Sequence, residues 1–266
     1  MLTDRLRLER KLGEGGTGVV WVDDPAGAAV ADGASIPIVR VGEGANADVR
    51  GVAVAIKIDG STFDASGAGG GARIHLRLPG RFNMANALVA AACANTLGIP
   101  WDTIADGIGR VAAIPGRFEV VPTASPATVV VDYAHTPAGV ESMISASREL
   151  VGSGRVIAVV GAAGDRDRQK RPKMGAAAST ADVAVLTSDN PRSEDPDVIL
   201  ASVIAGAGPD AVSIVDRQSA IAHAISAAGE GDVVLILGKG HERFQEINGE
   251  FIPFDDRQIA IEAAAT

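Results

Sequence analysis

Two short segments place charged side chains directly after apolar strands. Asp189-Asn190-Pro191-Arg192 follows Val183-Ala184-Val185-Leu186, and Gly238-Lys239-Gly240-His241-Glu242 follows Val233-Val234-Leu235-Ile236-Leu237. Such runs predict strands whose carboxyl ends lie on one edge of an α/β sheet, where these folds bind ligands. A guanidinium at one strand end and a carboxylate at an adjacent one could hold a molecule carrying both a carboxylate and an ammonium group, the outline of an amino acid. Pro191 confines Asn190 to an extended backbone and so orients Arg192. Gly238 and Gly240 permit close backbone approach of a ligand. Either segment alone reads equally well as a turn.

Three further segments carry polar groups at element junctions. Asn83 and Asn86 fall three apart in the first turn of a predicted helix, where an amide either caps the helix or bonds the edge of a base; on local grounds capping is favoured. Asp132, Tyr133 and His135 lie between a strand and Pro137, a residue suited to a first helical turn. That junction reads as a ribose or phosphate site or simply as a capped helix start. Residues 161–172 form a glycine loop followed by mixed charges, an incomplete dinucleotide fingerprint that favours an anion site over a solvated face.

The elements that position these groups follow from periodicity. Strands are predicted at Gly18–Val22, 36–41 and 52–58, then an antiparallel hairpin of residues 62–64 with 73–78 around a glycine turn. His75 alternates with Ile74 and Leu76, which places it at a solvated edge rather than in a metal site. Residues 83–97 and 101–111 read as helices, and residues 113–117 break the pattern. From there strand and helix alternate to the end, the grammar of a mostly parallel, doubly wound sheet. The expected domains are 1–116 and 117–266.

With 47% apolar and 21% charged residues the chain is globular rather than disordered. No apolar run approaches the length of a membrane span, and Met1–Arg7 lacks the apolar stretch of a signal peptide, so a cytoplasmic location is expected. A net charge of −9 and 3% aromatic residues argue against nucleic-acid binding. The single cysteine, Cys93, cannot form an internal disulfide and reads as a core residue in an alanine-rich helix.

The chain resembles the Mur ligases of peptidoglycan synthesis, most closely their diaminopimelate-adding members. The resemblance rests on GRFNMANA (80–87), IPGRFE (114–119), DYAHTP (132–137), GDRDRQKRP (164–172), TSDNPRSEDP (187–196), GKGHE (238–242) and PFDDR (253–257), in the family's order. It implies a partial central domain followed by a Rossmann-like carboxyl-terminal domain. It also implies ATP-dependent ligation of meso-diaminopimelate to UDP-N-acetylmuramoyl-L-alanyl-D-glutamate, with Mg2+, through an acyl phosphate. Arg166, Asn190, Arg192, Gly238 and Glu242 match the diaminopimelate pocket, with Asp189 and Pro191 in the same loop. Asn86 matches an adenine contact, Arg117 a residue facing the ATP phosphates, and Asp132, Tyr133 and His135 the nucleotide side of the carboxyl-terminal domain. The resemblance supplies no catalytic residue and no metal ligand in this chain.

No glycine-rich loop ending in Lys-Ser or Lys-Thr occurs, so the chain has no P-loop to cradle phosphates. The expectation is therefore an incomplete ligase, inactive alone, whose UDP-sugar contacts would lie upstream. The family's carbamylated lysine would fall near Arg5, without a match. The alternatives are a noncatalytic diaminopimelate-binding module or half of a split ligase. A folate-polyglutamating enzyme is a weaker third reading, because it would not call for DNPR and GKGHE together.

Overall fold

The computed structural model describes residues 16–265, so the segment around Arg5 and Met1–Arg7 lies outside the described residues. The chain divides into two compact units, residues 1–112 and 113–266.

The first unit holds a mixed sheet in the order β1 (Gly18–Trp21), β2 (Ile38–Gly42), β3 (Val49–Lys57), β4 (Gly60–Gly67) and β5 (Gly70–Leu76). The first three strands run parallel and the last two close antiparallel meanders. Helix α1 (Pro25–Asp32) makes the crossover from β1 to β2, started by the Asp24 carboxylate, which accepts from the Ala26 N–H at 2.7 Å. Helices α2 (Arg81–Thr96) and α3 (Trp101–Gly109) complete the unit. Met84, Leu88, Ala91 and Ala92 recur on one face of α2 and meet Phe63 and Ile74 of the sheet in one core. Burying each large side chain contributes about 1.5–3 kcal/mol.

The predicted hairpin is present, with Asp64 opposite Arg73, and His75 is exposed on edge strand β5 as the alternation required. Cys93 corrects the expectation of a core residue: it is exposed. The buried positions of α2 recur at 84, 88, 91 and 92, and one further residue turns Cys93 about 100° off that face.

The second unit carries the site. Its sheet has the order β10 (Val212–Ser213), β9 (Val183–Ser188), β8 (Val156–Ala162), β11 (Val233–Leu237), β7 (Thr128–Asp132) and β6 (Glu119–Val121). All pairs are parallel except β6 with β7. Helices α4 (Pro137–Val151), α5 (Lys170–Ala178), α6 (Pro196–Ile204), α7 (Arg217–Ser226) and α8 (Asp256–Ala264) cover it. Every residue of β8 and β11 is buried, which is why both read as unbroken apolar runs. The sequence reading placed β9 and β11 side by side; instead β8 lies between them, and their loops meet across its end. A small antiparallel hairpin, β12 (Phe244–Ile247) with β13 (Glu250–Pro253), was not predicted.

Candidate functional site

The loops after β7, β8, β9 and β11 leave the same edge of the sheet and enclose a cavity of about 310 Å³. Its wall includes Arg166, Asp189, Asn190, Arg192, Gly238 and Glu242. Tyr133 and His135 also reach it. Arg192 and Glu242 thus open onto one space, with Asp189 and Asn190 at its buried end.

Asn190 is the centre of a hydrogen-bond network. Its Nδ2 donates to Glu242 Oε2 at 2.9 Å, while its Oδ1 accepts from Lys239 Nζ at 2.9 Å and from the Glu246 N–H at 3.0 Å. Lys239, fully buried, also donates to Glu242 Oε2 at 3.1 Å. A buried ammonium is tolerated only with such partners, and these fix both the flip of the amide and the reach of the carboxylate. The single motif GKGHE therefore supplies a ligand-facing acid and the cation that holds it.

Asp189 is different. Its residue is only 6% exposed, and no described group donates to its carboxylate. Burial pushes its pKa up, against the pull of the Arg217 and Lys239 charges. Its main-chain oxygen is held by Gln245 Nε2 at 2.6 Å. An acid kept dry, unpaired and beside a cavity is suited to receive a cationic group.

Arg192 has φ +53, an uncommon conformation for a residue with a side chain. Hairpin β12–β13 holds it there: Arg192 N–H donates to Glu246 O at 2.9 Å, and Asn248 N–H donates to Arg192 O at 2.7 Å. The guanidinium is tied by Nε to Glu246 Oε2 at 2.9 Å and by Nη1 to Gly164 O at 2.7 Å. Pro191 is buried behind the loop and does not line the cavity. Gly164 is required by this packing, since a Cβ there would lie 1.8 Å from Pro191 O.

The glycines of the β11 loop serve the protein's own approach rather than only a ligand's. A Cβ on Gly238, at φ +116, would lie 2.5 Å from Asp189 Oδ2; one on Gly240, at φ +53, would lie 2.7 Å from Tyr133 Cβ.

The charged loop after β8 splits into two roles. Arg171 is buried and Arg168 exposed, and both pair with Glu194, at 2.7 and 3.0 Å. The bonds from Arg171 draw the Glu194 pKa down to about 2. Arg166 and Lys170 face the cavity instead, Lys170 donating to His135 O at 2.9 Å.

Beneath the site, Arg217 and Asp256 form a bidentate pair with no solvent exposure, at 2.8 and 2.7 Å. Arg217 also donates to Ser188 O at 3.3 Å and Leu237 O at 3.1 Å, the last residues of β9 and β11. One guanidinium thereby joins the strand ends that carry both ligand-facing loops.

Of the residues matched to nucleotide contacts, Arg117 lies over the Tyr133 ring at 5.1 Å, and Tyr133 meets His135 edge-on at 4.7 Å. Asp132 is buried, and its oxygens accept from Phe118 N–H and Ala134 N–H, both at 2.7 Å. Burial is the largest influence on its pKa, which is raised. Both Asp132 oxygens thus bind main chain, which favours the structural side of the two readings for that residue. Thr136 caps α4, so the junction is also a capped helix start. In the first unit Asn86 is exposed on α2, whereas Asn83 is buried and donates to Pro79 O at 2.8 Å. Asn83 and Asn86 therefore face different surroundings, and α2 has no side-chain cap. Lys239, Gln245 and Glu246 were not singled out from sequence, although Asn248-Gly249, at φ +51 and +80, is a recognisable hairpin turn.

A mostly parallel sheet with charged loops gathered on its carboxyl edge, after a mixed-sheet unit in the chain, defines an α/β architecture of the ligand-binding kind. Family comparison agrees: residues 116–240 match the Mur ligase, glutamate ligase domain, and residues 2–94 match the Mur ligase middle domain. The chain belongs to the Mur ligase family. It is 43% identical over 249 residues to the UDP-N-acetylmuramoyl-L-alanyl-D-glutamate–2,6-diaminopimelate ligase of Syntrophomonas wolfei, covering 92% of this chain and 51% of that protein. It is 45% identical over 258 residues to the Streptomyces coelicolor protein of the same name, again covering 92% and 51%. The chain spans about half the length of the curated relatives it matches. A solved structure of a UDP-N-acetylmuramoyl-L-alanyl-D-glutamate–2,6-diaminopimelate ligase superposes with TM-score 0.64 at 32% identity, over 99% of this chain and 56% of that one. A folylpolyglutamate synthase from Thermotoga maritima shares the fold, with TM-score 0.60 at 20% identity over 79% of this chain and 47% of that one.

Proposed function

We propose that the second unit binds meso-diaminopimelate. We further propose that the chain is part of an ATP-dependent cytoplasmic ligase joining that amino acid to UDP-N-acetylmuramoyl-L-alanyl-D-glutamate. The observation that carries the reading is the cavity shared by Arg192, Asn190, Asp189 and Glu242. The free edge of Arg192 would take one carboxylate of the ligand bidentately. The unpaired carboxylate of Asp189 and that of Glu242 would take an ammonium group, and Arg166 would receive a second carboxylate. Lysine lacks the second amino-acid centre and would leave the guanidinium unmatched, a defect of about 2–5 kcal/mol. The names of the relatives support this choice of amino acid.

In the reaction proposed, ATP phosphorylates the substrate carboxylate with release of ADP, and the neutral amine of the bound diaminopimelate attacks the acyl phosphate, forming the amide as inorganic phosphate leaves and the nitrogen loses a proton; the pocket's part is to hold that amine in place. Exposed Arg117 and His135, with half-buried Tyr133 between them, form a cationic and aromatic surface suited to a nucleotide. Magnesium, when bound, would neutralise phosphate charge. Among the described residues no group of three or more His, Cys, Asp or Glu side chains is placed to hold a metal ion.

Titration calorimetry of the chain with meso-diaminopimelate tests the binding step. Saturable one-to-one binding that Arg192→Ala abolishes is expected. Binding of equal strength to lysine and diaminopimelate would overturn the assignment.

A further inference from the structure

The Arg192 guanidinium has five N–H groups, and two are used inside the protein. Nε is held by Glu246 and one Nη1 hydrogen by Gly164 O. The other three, which include the Nη1/Nη2 edge, have no partner among the described residues. The two bonds come from different segments, one from β12 and one from the turn after β8, so together they set the plane of the group. Were Nε released, rotation about the outer side-chain bonds would carry the free edge out of register with a planar carboxylate.

Glu246 makes this bond because the hairpin is docked on the loop as a template. Gln245 Nε2 bonds Asp189 O, Glu246 N–H bonds Asn190 Oδ1, Glu246 O accepts from Arg192 N–H, and Asn248 N–H bonds Arg192 O. Arg192 and Ile247 also form an isolated parallel bridge. The side chains of Arg192 and Glu246 are 20% and 25% exposed, sheltered enough for their charges to be only partly screened.

We infer that Glu246 is a specificity-determining positioning residue: by fixing Nε of Arg192 it aims the guanidinium's free edge at the ligand's distal carboxylate. It thereby sets the preference for a diamino diacid over a diamino monoacid. This inference rests on the reading that the cavity takes diaminopimelate. It assigns to Glu246 no contact with the ligand.

The test uses the full chain with Glu246→Ala and Glu246→Gln, titrated with meso-diaminopimelate and with lysine. Glu246→Ala should weaken diaminopimelate about tenfold or more, the scale of one well-made polar interaction, and leave lysine unchanged. Glu246→Gln, whose amide oxygen still accepts from Nε, should stay within about threefold of the parent. A second readout needs no ligand: modification of Arg192 by phenylglyoxal, followed by peptide mass mapping, should quicken in Glu246→Ala and not in Glu246→Gln. Equal weakening of both amino acids, or no change in either, would overturn the inference, as would unaltered Arg192 reactivity. Should the parent chain bind neither amino acid, the assignment of the cavity falls, and the reactivity of Arg192 still decides whether Glu246 holds it.

Discussion

Replacing Asp256 by alanine removes one half of a pair in which neither side chain touches solvent, leaving Arg217 charged and unmatched under the sheet. Breaking a buried pair in this way costs about 3–5 kcal/mol. The two remaining bonds from Arg217, at 3.3 and 3.1 Å to Ser188 O and Leu237 O, go to neutral carbonyls and do not replace the lost countercharge. Native-state hydrogen exchange is the assay of choice, because it resolves β8, β9 and β11 from the first unit. A loss of 3–5 kcal/mol should speed their slowest amides by roughly a hundredfold to a few thousandfold. The double variant Arg217→Met with Asp256→Leu should recover part of the loss, since it removes both charges. It should not recover all of it, because each carbonyl left unpaired costs about 1–3 kcal/mol. An Asp256→Ala chain whose exchange in β9 and β11 matches the parent would refute the claim that this pair ties the two strand ends together.

Further outcomes follow from the same structure. Glu194 is lowered from 4.5 to about 2 by Arg171, and Asp232 from 3.8 to about 2 by Arg155. Depressed folded-state values mean that their contribution is complete above the unfolded values and lost as pH falls toward about 2. Denaturant midpoints should therefore be flat near neutrality and decline from about pH 4.5 downward, and Glu194→Gln should flatten that slope. Asp189 is shifted the other way by burial, so its charge opposes folding above its folded value. Asp189→Asn should raise the denaturant midpoint at pH 7 while weakening diaminopimelate binding in calorimetry. Gly238→Ala places a methyl 2.5 Å from Asp189 Oδ2 at a backbone φ of +116. It should lower stability by about 1–3 kcal/mol in urea titration and displace Asp189 from the cavity.

The strands of the second sheet were legible because burial on both faces leaves apolar runs with no alternation to misread, and α4 and α6 because proline and a capping side chain mark their starts. The convergence of the β9 and β11 loops was also legible, although not the intervening β8, since strand order depends on non-local pairing. Lys239 was passed over because a lysine between two glycines looks solvated, and only the folded chain shows Asn190 and Glu242 around it. The hairpin was missed because Phe244-Gln245-Glu246-Ile247 lacks clean alternation, and its value lies in main-chain bonds to Arg192 and side-chain bonds to residues 188–190, which no local pattern encodes. The exposure of Cys93 could have been read from helical phase, had the buried face of α2 been traced rather than its alanine content.

The crystal structure of this chain soaked with meso-diaminopimelate is the most direct test. The ligand should occupy the space between the β9 and β11 loops, one carboxylate on the Nη1/Nη2 edge of Arg192 and an ammonium group on Asp189 and Glu242. Density for the amino acid elsewhere, with Arg192 and Asp189 unliganded at saturation, would contradict it.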